Sequence, residues 1–131
     1  MDRSHEFARA LLTKARDDFH ILQTLAHAPN SPRWGLGFHA QQAAEKALKA
    51  VLANRSIRYP RTHDLGALLG ALERADVSPP PDADRLPWLT PFSVTLRYPG
   101  DDVEPSSDEG FDTAQLVLLV DRTLAWAEAA L

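Results

Sequence analysis

Phe38-His39-Ala40-Gln41-Gln42-Ala43-Ala44-Glu45-Lys46-Ala47-Leu48-Lys49-Ala50-Val51-Leu52 is the stretch whose reading decides the fold. Alanine, leucine, lysine, glutamine and glutamate dominate it, all good helix formers, and it holds neither proline nor glycine. The stretch predicts a helix that sets Gln42, Glu45, Lys46 and Lys49 along neighbouring tracks. A helix that only fills a core carries apolar side chains at the spacings Gln42 and Glu45 occupy. Polar groups there need partners, so they predict either a buried network or the wall of a site.

Working outward, a first helix is expected over residues 4–28, with Phe7, Leu11, Ala15, Leu22 and Leu25 as its apolar stripe. Pro29-Asn30-Ser31-Pro32 stops it, and Ser31 as N-cap with Pro32 in the first turn starts the next. That second helix reaches Asn54, with Trp34, Phe38, Leu48 and Leu52 inward, and the residue before Pro60 disfavours its continuation. A third helix begins near Thr62 and carries Leu65, Leu68, Leu69 and Leu72. After the stiff Ser78-Pro79-Pro80-Pro81 connector, a shorter helix over residues 82–96 is disturbed by Pro87 and Pro91. Ser106-Ser107-Asp108-Glu109 reads as a capping box opening a last helix to Ala130, with Phe111, Leu118 and Trp126 inward. No strand is predicted. The pattern is all-α: an up-and-down antiparallel bundle of four to five helices, one domain over residues 1–131.

Composition narrows the chemistry. The chain has 131 residues and no cysteine, which excludes disulfides, thiolate zinc sites and cysteine nucleophiles. Its start lacks an apolar run behind a basic one, and no stretch nears the ~18 apolar residues that cross a bilayer, so a soluble cytoplasmic protein is expected. A net charge of −4 argues against a dedicated nucleic-acid coat protein, and no DNA partner is expected. The charge is unevenly spread, however. Lys46, Lys49, Arg55, Arg58 and Arg61 follow one another with no acid between them, a local patch suited to a phosphate-bearing ligand.

Several motifs fall away. Gly35-Leu36-Gly37-Phe38-His39-Ala40 fits the dinucleotide fingerprint G-x-G-x-x-A, but no strand precedes it, so the glycines are read as close-packing positions. The five histidines form no metal-ligand signature, and no metal or cofactor is expected. No phosphate loop or nucleophile elbow occurs. What remains is Arg58-Tyr59-Pro60-Arg61-Thr62-His63. RNA carries its own nucleophile, the 2′-OH, beside each phosphate. A histidine can move protons to and from that oxygen or the leaving group, and a guanidinium can stabilise charge growing on the phosphoryl oxygens. The alternative is structural, with His63 fixing the turn against Glu45.

Three strings together resemble the HEPN family of small helical domains: residues 42–50, Thr62-His63-Asp64-Leu65, and Arg97-Tyr98-Pro99. The resemblance implies a helical bundle that dimerises and is often paired with a minimal nucleotidyltransferase, in some cases as toxin and antitoxin. It implies a nucleotide- or RNA-binding subunit using Lys46, Lys49 and Arg97, with Gln42, Glu45 and Tyr98 as a structural polar network. It leaves open a metal-independent endoribonuclease toxin using Arg58 and His63, and a non-catalytic dimeric scaffold. Arg58 and His63 fit the family's R-x(4–6)-H spacing, although Leu65 stands where its ribonucleases often have an aromatic residue. Glu45 is expected to pair with Arg97 or His63.

Overall fold

Small side chains let the helices of this protein approach closely, and their positions set the architecture. The computed structural model describes residues 3–93 and 112–131. Within them the order is α1 (Arg3–His27), α2 (Arg33–Asn54), α3 (Leu65–Arg74), a 3₁₀ segment (Ala83–Phe92) and α4 (Thr113–Ala130), with no strand among the described residues. The helix expected from residues 38–52 lies at the centre of α2, which packs against each of the other four elements. No residue from 35 to 54 is fully exposed. Ala40, Ala43, Ala44, Ala47 and Ala50 are wholly buried and meet Ala8 and Ala15 in the same core. A helix covered on nearly every side loses its amphipathic signature, and α2 does so here.

Cross-links between α1 and α2 define their register. His5 bonds Asn54, Asp18 meets His39 and Lys46, and Leu25 lies beside Gly35. The start of α1 therefore faces the end of α2, and the pair is antiparallel. Arg16 of α1 likewise pairs with Glu128 near the end of α4, at 2.8 Å. The end of α1 (Gln23, His27) lies by the start of α4 (Thr113, Val117), so both α2 and α4 run against α1, while α3 and the 3₁₀ segment pack on α2 and on each other. Among the described residues no helix is long and apolar enough to cross a membrane.

Several expectations shift by a residue or a turn. The buried stripe of α1 is Ala8, Leu12, Ala15, Asp18 and Leu22, so the expected Phe7 is 54% exposed and Leu11 and Leu25 are only half-buried. Trp34 and Leu118, expected inward, are also about half exposed, at 50% and 48%. Weighting bulky side chains misplaces the stripe when the real contact is made by alanines. At the α1–α2 junction the Ser31 hydroxyl bonds back to the Leu25 carbonyl, and Pro32 takes the N-cap position. Asp64, not Thr62, caps α3, accepting from the Gly66 and Ala67 amides, while the Thr62 hydroxyl accepts from the Asp64 amide. A capping box does open the last helix, but it is Asp112 with Gln115. Residues 106–109 and Phe111 lie outside the described residues.

The expected fourth helix is a 3₁₀ segment containing Pro87 and Pro91. Neither proline has an amide hydrogen to give to an α-helical ladder, which accounts for the departure from α geometry. Its last residue, Phe92, packs on α2 at Gly37. A Cβ added at Gly37 would sit far inside van der Waals contact with the Phe92 ring, whereas one at Gly35 would meet Leu25 Cδ1 at an ordinary 3.7 Å. We expect Gly37→Ala to cost about 1–3 kcal/mol through overpacking. Gly35→Ala should be neutral or gain up to ~1 kcal/mol from helix propensity. Urea unfolding of the two variants side by side measures the difference.

Candidate functional site

Glu45 sits at mid-helix in α2 with only 4% of its surface exposed. An ionised carboxylate there needs several donors. Lys49, one turn on, donates to Oε2 at 2.9 Å, and Gln41, one turn back, donates to Oε1 at 2.8 Å. The third donor comes from outside the helix: the Nδ1–H of His63 reaches Oε1 at 2.8 Å. Burial pushes the Glu45 carboxyl up, but bonds from Lys49, His63 and Gln41 outweigh it and hold the group below its ordinary value. Tyr59 stands close enough that burial, together with the Glu45 charge, pushes its phenol up. Its hydroxyl therefore stays protonated.

The connector between α2 and α3 delivers His63. Ser56 adopts a positive φ of 55°, and the Ile57 amide returns to the Leu52 carbonyl, turning the chain back along α2. The connector then runs without helix or strand until Asp64 caps α3. Gln41 donates to the His63 carbonyl at 3.3 Å, so α2 holds both the main chain and the ring of this residue. A carboxylate only accepts, which puts a proton on Nδ1, so that in the neutral ring it is Nε2 that carries the lone pair. The His63 side chain is 58% exposed, so that lone pair belongs to a surface group with a buried carboxylate behind it.

The other expected site residues separate into three groups. Lys46 does not share the Glu45 network: its ammonium donates to Asp18 of α1, which also accepts from His39 Nδ1 at 3.1 Å. Lys46 and Lys49 are therefore both held by carboxylates. Arg58 is exposed, as are Arg55 and Arg61, and none of the three forms an ion pair among the described residues. Arg58 and His63 share the connector but are not bonded to each other. Gln42 donates to Gln41 Oε1 at 2.7 Å. Arg97 and Tyr98 lie outside the described residues, and Glu45 takes the His63 partner of the two proposed for it.

Two members were not foreseen. Gln41 is fully buried and sits four residues before Glu45, a spacing at which helical side chains meet. Asp18 interrupts an otherwise apolar stripe, which is itself the signal of a buried partner. Among the described residues no group of three or more histidine, cysteine or acidic side chains is arranged to hold a metal. Chemically, the arrangement offers a fixed imidazole for proton transfer and arginines suited to phosphate.

The family model described as HEPN domain matches residues 8–128, nearly the whole chain. No curated protein and no solved structure matches it significantly.

Because the Glu45 pKa is lowered on folding, its contribution to stability is complete above the ordinary value of 4.5. It is lost as pH falls below 4.5 through the lowered value. Glu45→Ala should cost on the order of 3 kcal/mol at neutral pH. Glu45→Gln should lose part of that, and its deficit against the native chain should narrow in acid. Denaturation curves at neutral pH and in acid check both.

Proposed function

The chain belongs to the HEPN domain family, and from that premise we propose that it is a nucleotide- or RNA-binding subunit. We take its phosphate-facing surface to be the 55–64 connector. One observation carries this reading: Arg55, Arg58 and Arg61 are exposed, lack an acidic partner among the described residues, and lead directly to His63. Guanidinium groups favour phosphate by bidentate bonding. Lys46 and Lys49, expected to bind phosphate, act behind this surface by securing Asp18 and Glu45. In this reading the protein is a homodimer partnered by a minimal nucleotidyltransferase, in a toxin–antitoxin-like pair.

A second reading, metal-independent RNA cleavage, is favoured by the Glu45–His63 bond. With Nδ1 committed, Nε2 accepts the proton of a 2′-OH as that oxygen attacks the adjacent phosphorus. The bond from phosphorus to the 5′-oxygen breaks, and the leaving oxygen takes a proton back from the imidazolium or from water. Arg58 stabilises the charge that accumulates on the phosphoryl oxygens. Glu45 holds the ring and steadies its positive form, the task of the carboxylate in a catalytic triad.

Binding of a short single-stranded RNA should weaken with salt. Three arginine–phosphate contacts give a slope of log K on log salt of about −2, from ~0.7 per phosphate neutralised. Arg58→Ala with Arg61→Ala should flatten that slope while far-UV circular dichroism stays unchanged. In a chelator, His63→Ala should abolish cleavage and retain most binding. Absence of binding at low salt by the isolated protein would leave only the scaffold role. Sedimentation at micromolar concentration tests the dimer, and a purely monomeric profile would contradict it.

A further inference from the structure

Two of the three hydrogen bonds that satisfy the buried Gln41 amide go to the His63 site. Its Nε2 donates both to Glu45 Oε1, at 2.8 Å, and to the His63 main-chain carbonyl, at 3.3 Å. Its Oε1 accepts from Gln42 Nε2 at 2.7 Å. Every bond is therefore oriented. Were the amide to turn over, its oxygen would face the Glu45 carboxylate and the His63 carbonyl, two acceptors, and its nitrogen would face the Gln42 donor. Those two acceptors fix the orientation of the Gln41 amide, and Gln42, half-buried at the edge of the network, satisfies its oxygen.

We propose that Gln41 is a positioning residue for His63, holding its main chain and, through Glu45, its imidazole in the Nδ1–H tautomer. The inference rests on the reading of His63 as the working group of the site. The same Glu45 oxygen accepts from Gln41 and from His63, so the amide fixes where that oxygen lies when it meets the ring. The carbonyl bond fixes the other end of the residue. A histidine anchored at both ends on an otherwise irregular connector keeps one rotamer, and Nε2 keeps one direction. Without Gln41, Glu45 is free to swing toward Lys49, and the ring is free to take the other tautomer or turn to solvent. Where a histidine is a metal ligand, partners that orient it from behind are worth roughly 10–100-fold, and that scale is taken for His63.

The test uses the full chain with ¹⁵N-labelled histidine. Gln41→Met keeps volume and removes every side-chain hydrogen bond, and Gln42→Ala removes only the donor to the Gln41 oxygen. In the native protein the neutral His63 ring should show the Nδ1–H pattern. Gln41→Met should shift it toward a mixture with the Nε2–H form, and Gln42→Ala should do so to a smaller extent. If RNA is cleaved, the rate should fall roughly 10–100-fold in Gln41→Met, with binding changed less than threefold. Should Gln41→Met not fold, Gln41→Asn takes its place, since the shorter amide cannot reach Glu45 and the His63 carbonyl together. Unchanged His63 signals in the folded variants, whatever their melting temperatures, would overturn the assignment and leave Gln41 a core amide. The nitrogen signals need no RNA, so a native protein that cleaves nothing would remove the cleavage reading without deciding this one.

Discussion

A single buried carboxylate, that of Glu45, sets the terms for much of this molecule. Removing an ionised group from water costs several kcal/mol, and only close donors offset it. Two of its three donors, Gln41 and Lys49, come from the same helix, and their positions follow from helical geometry. The third, His63, lies 18 residues away. That bond ties an irregular connector to the centre of the bundle. The connector has no ladder of its own, so its path depends on such individual bonds: Ile57 to Leu52, Gln41 to His63, and Thr62 to Asp64. The exposed arginines it carries inherit whatever order these bonds confer.

The same device is used on a neighbouring face of α2. Asp18, inside the apolar stripe of α1, accepts from Lys46 and from His39 Nδ1 just as Glu45 accepts from Lys49 and from His63 Nδ1. An interface of alanines packs closely but has little relief, and neighbouring registers differ little in buried area. A carboxylate that finds its lysine and histidine in only one register breaks that near-degeneracy. Fixing register is the best-attested use of buried polar groups. The two clusters explain why this central helix tolerates so many polar residues, and why no buried side-chain polar atom lacks a partner among the described residues.

Helix number, order and approximate extent were legible in the sequence because they rest on local signals. Pro29 and Pro32, Pro60 and the triple proline at 79–81 delimit segments whatever the tertiary context. The need of Glu45 for a partner was legible too, and His63 was one of two candidates. Three things were less so. Caps migrated to Asp64 and Asp112 because several capping residues stand close together at each helix start, and the backbone chooses among them. The core stripe of α1 was right at Ala15 and Leu22 but misplaced in its first turns, because Phe7 outweighs Ala8 in any hydrophobic pattern, whereas helix approach favours the smaller residue. Lys46 and Lys49 looked free because their partners, Asp18 in one case and an i−4 glutamate in the other, had to be weighed against an attractive run of positive charge.

That last point changes how an acidic protein could engage RNA. If every cation in the run from Lys46 to Arg61 faced solvent, electrostatics alone would give a broad, unspecific attraction. With both lysines neutralised internally, the available charge of that run reduces to arginines on the same connector as a carboxylate-anchored histidine. A surface so small supplies modest affinity, and its recognition would depend on geometry more than on field strength. Geometry is what the Glu45 network maintains. Protonating that carboxylate in acid would therefore remove a stabilising contact and release the connector together, and fold and surface would respond to pH through one group.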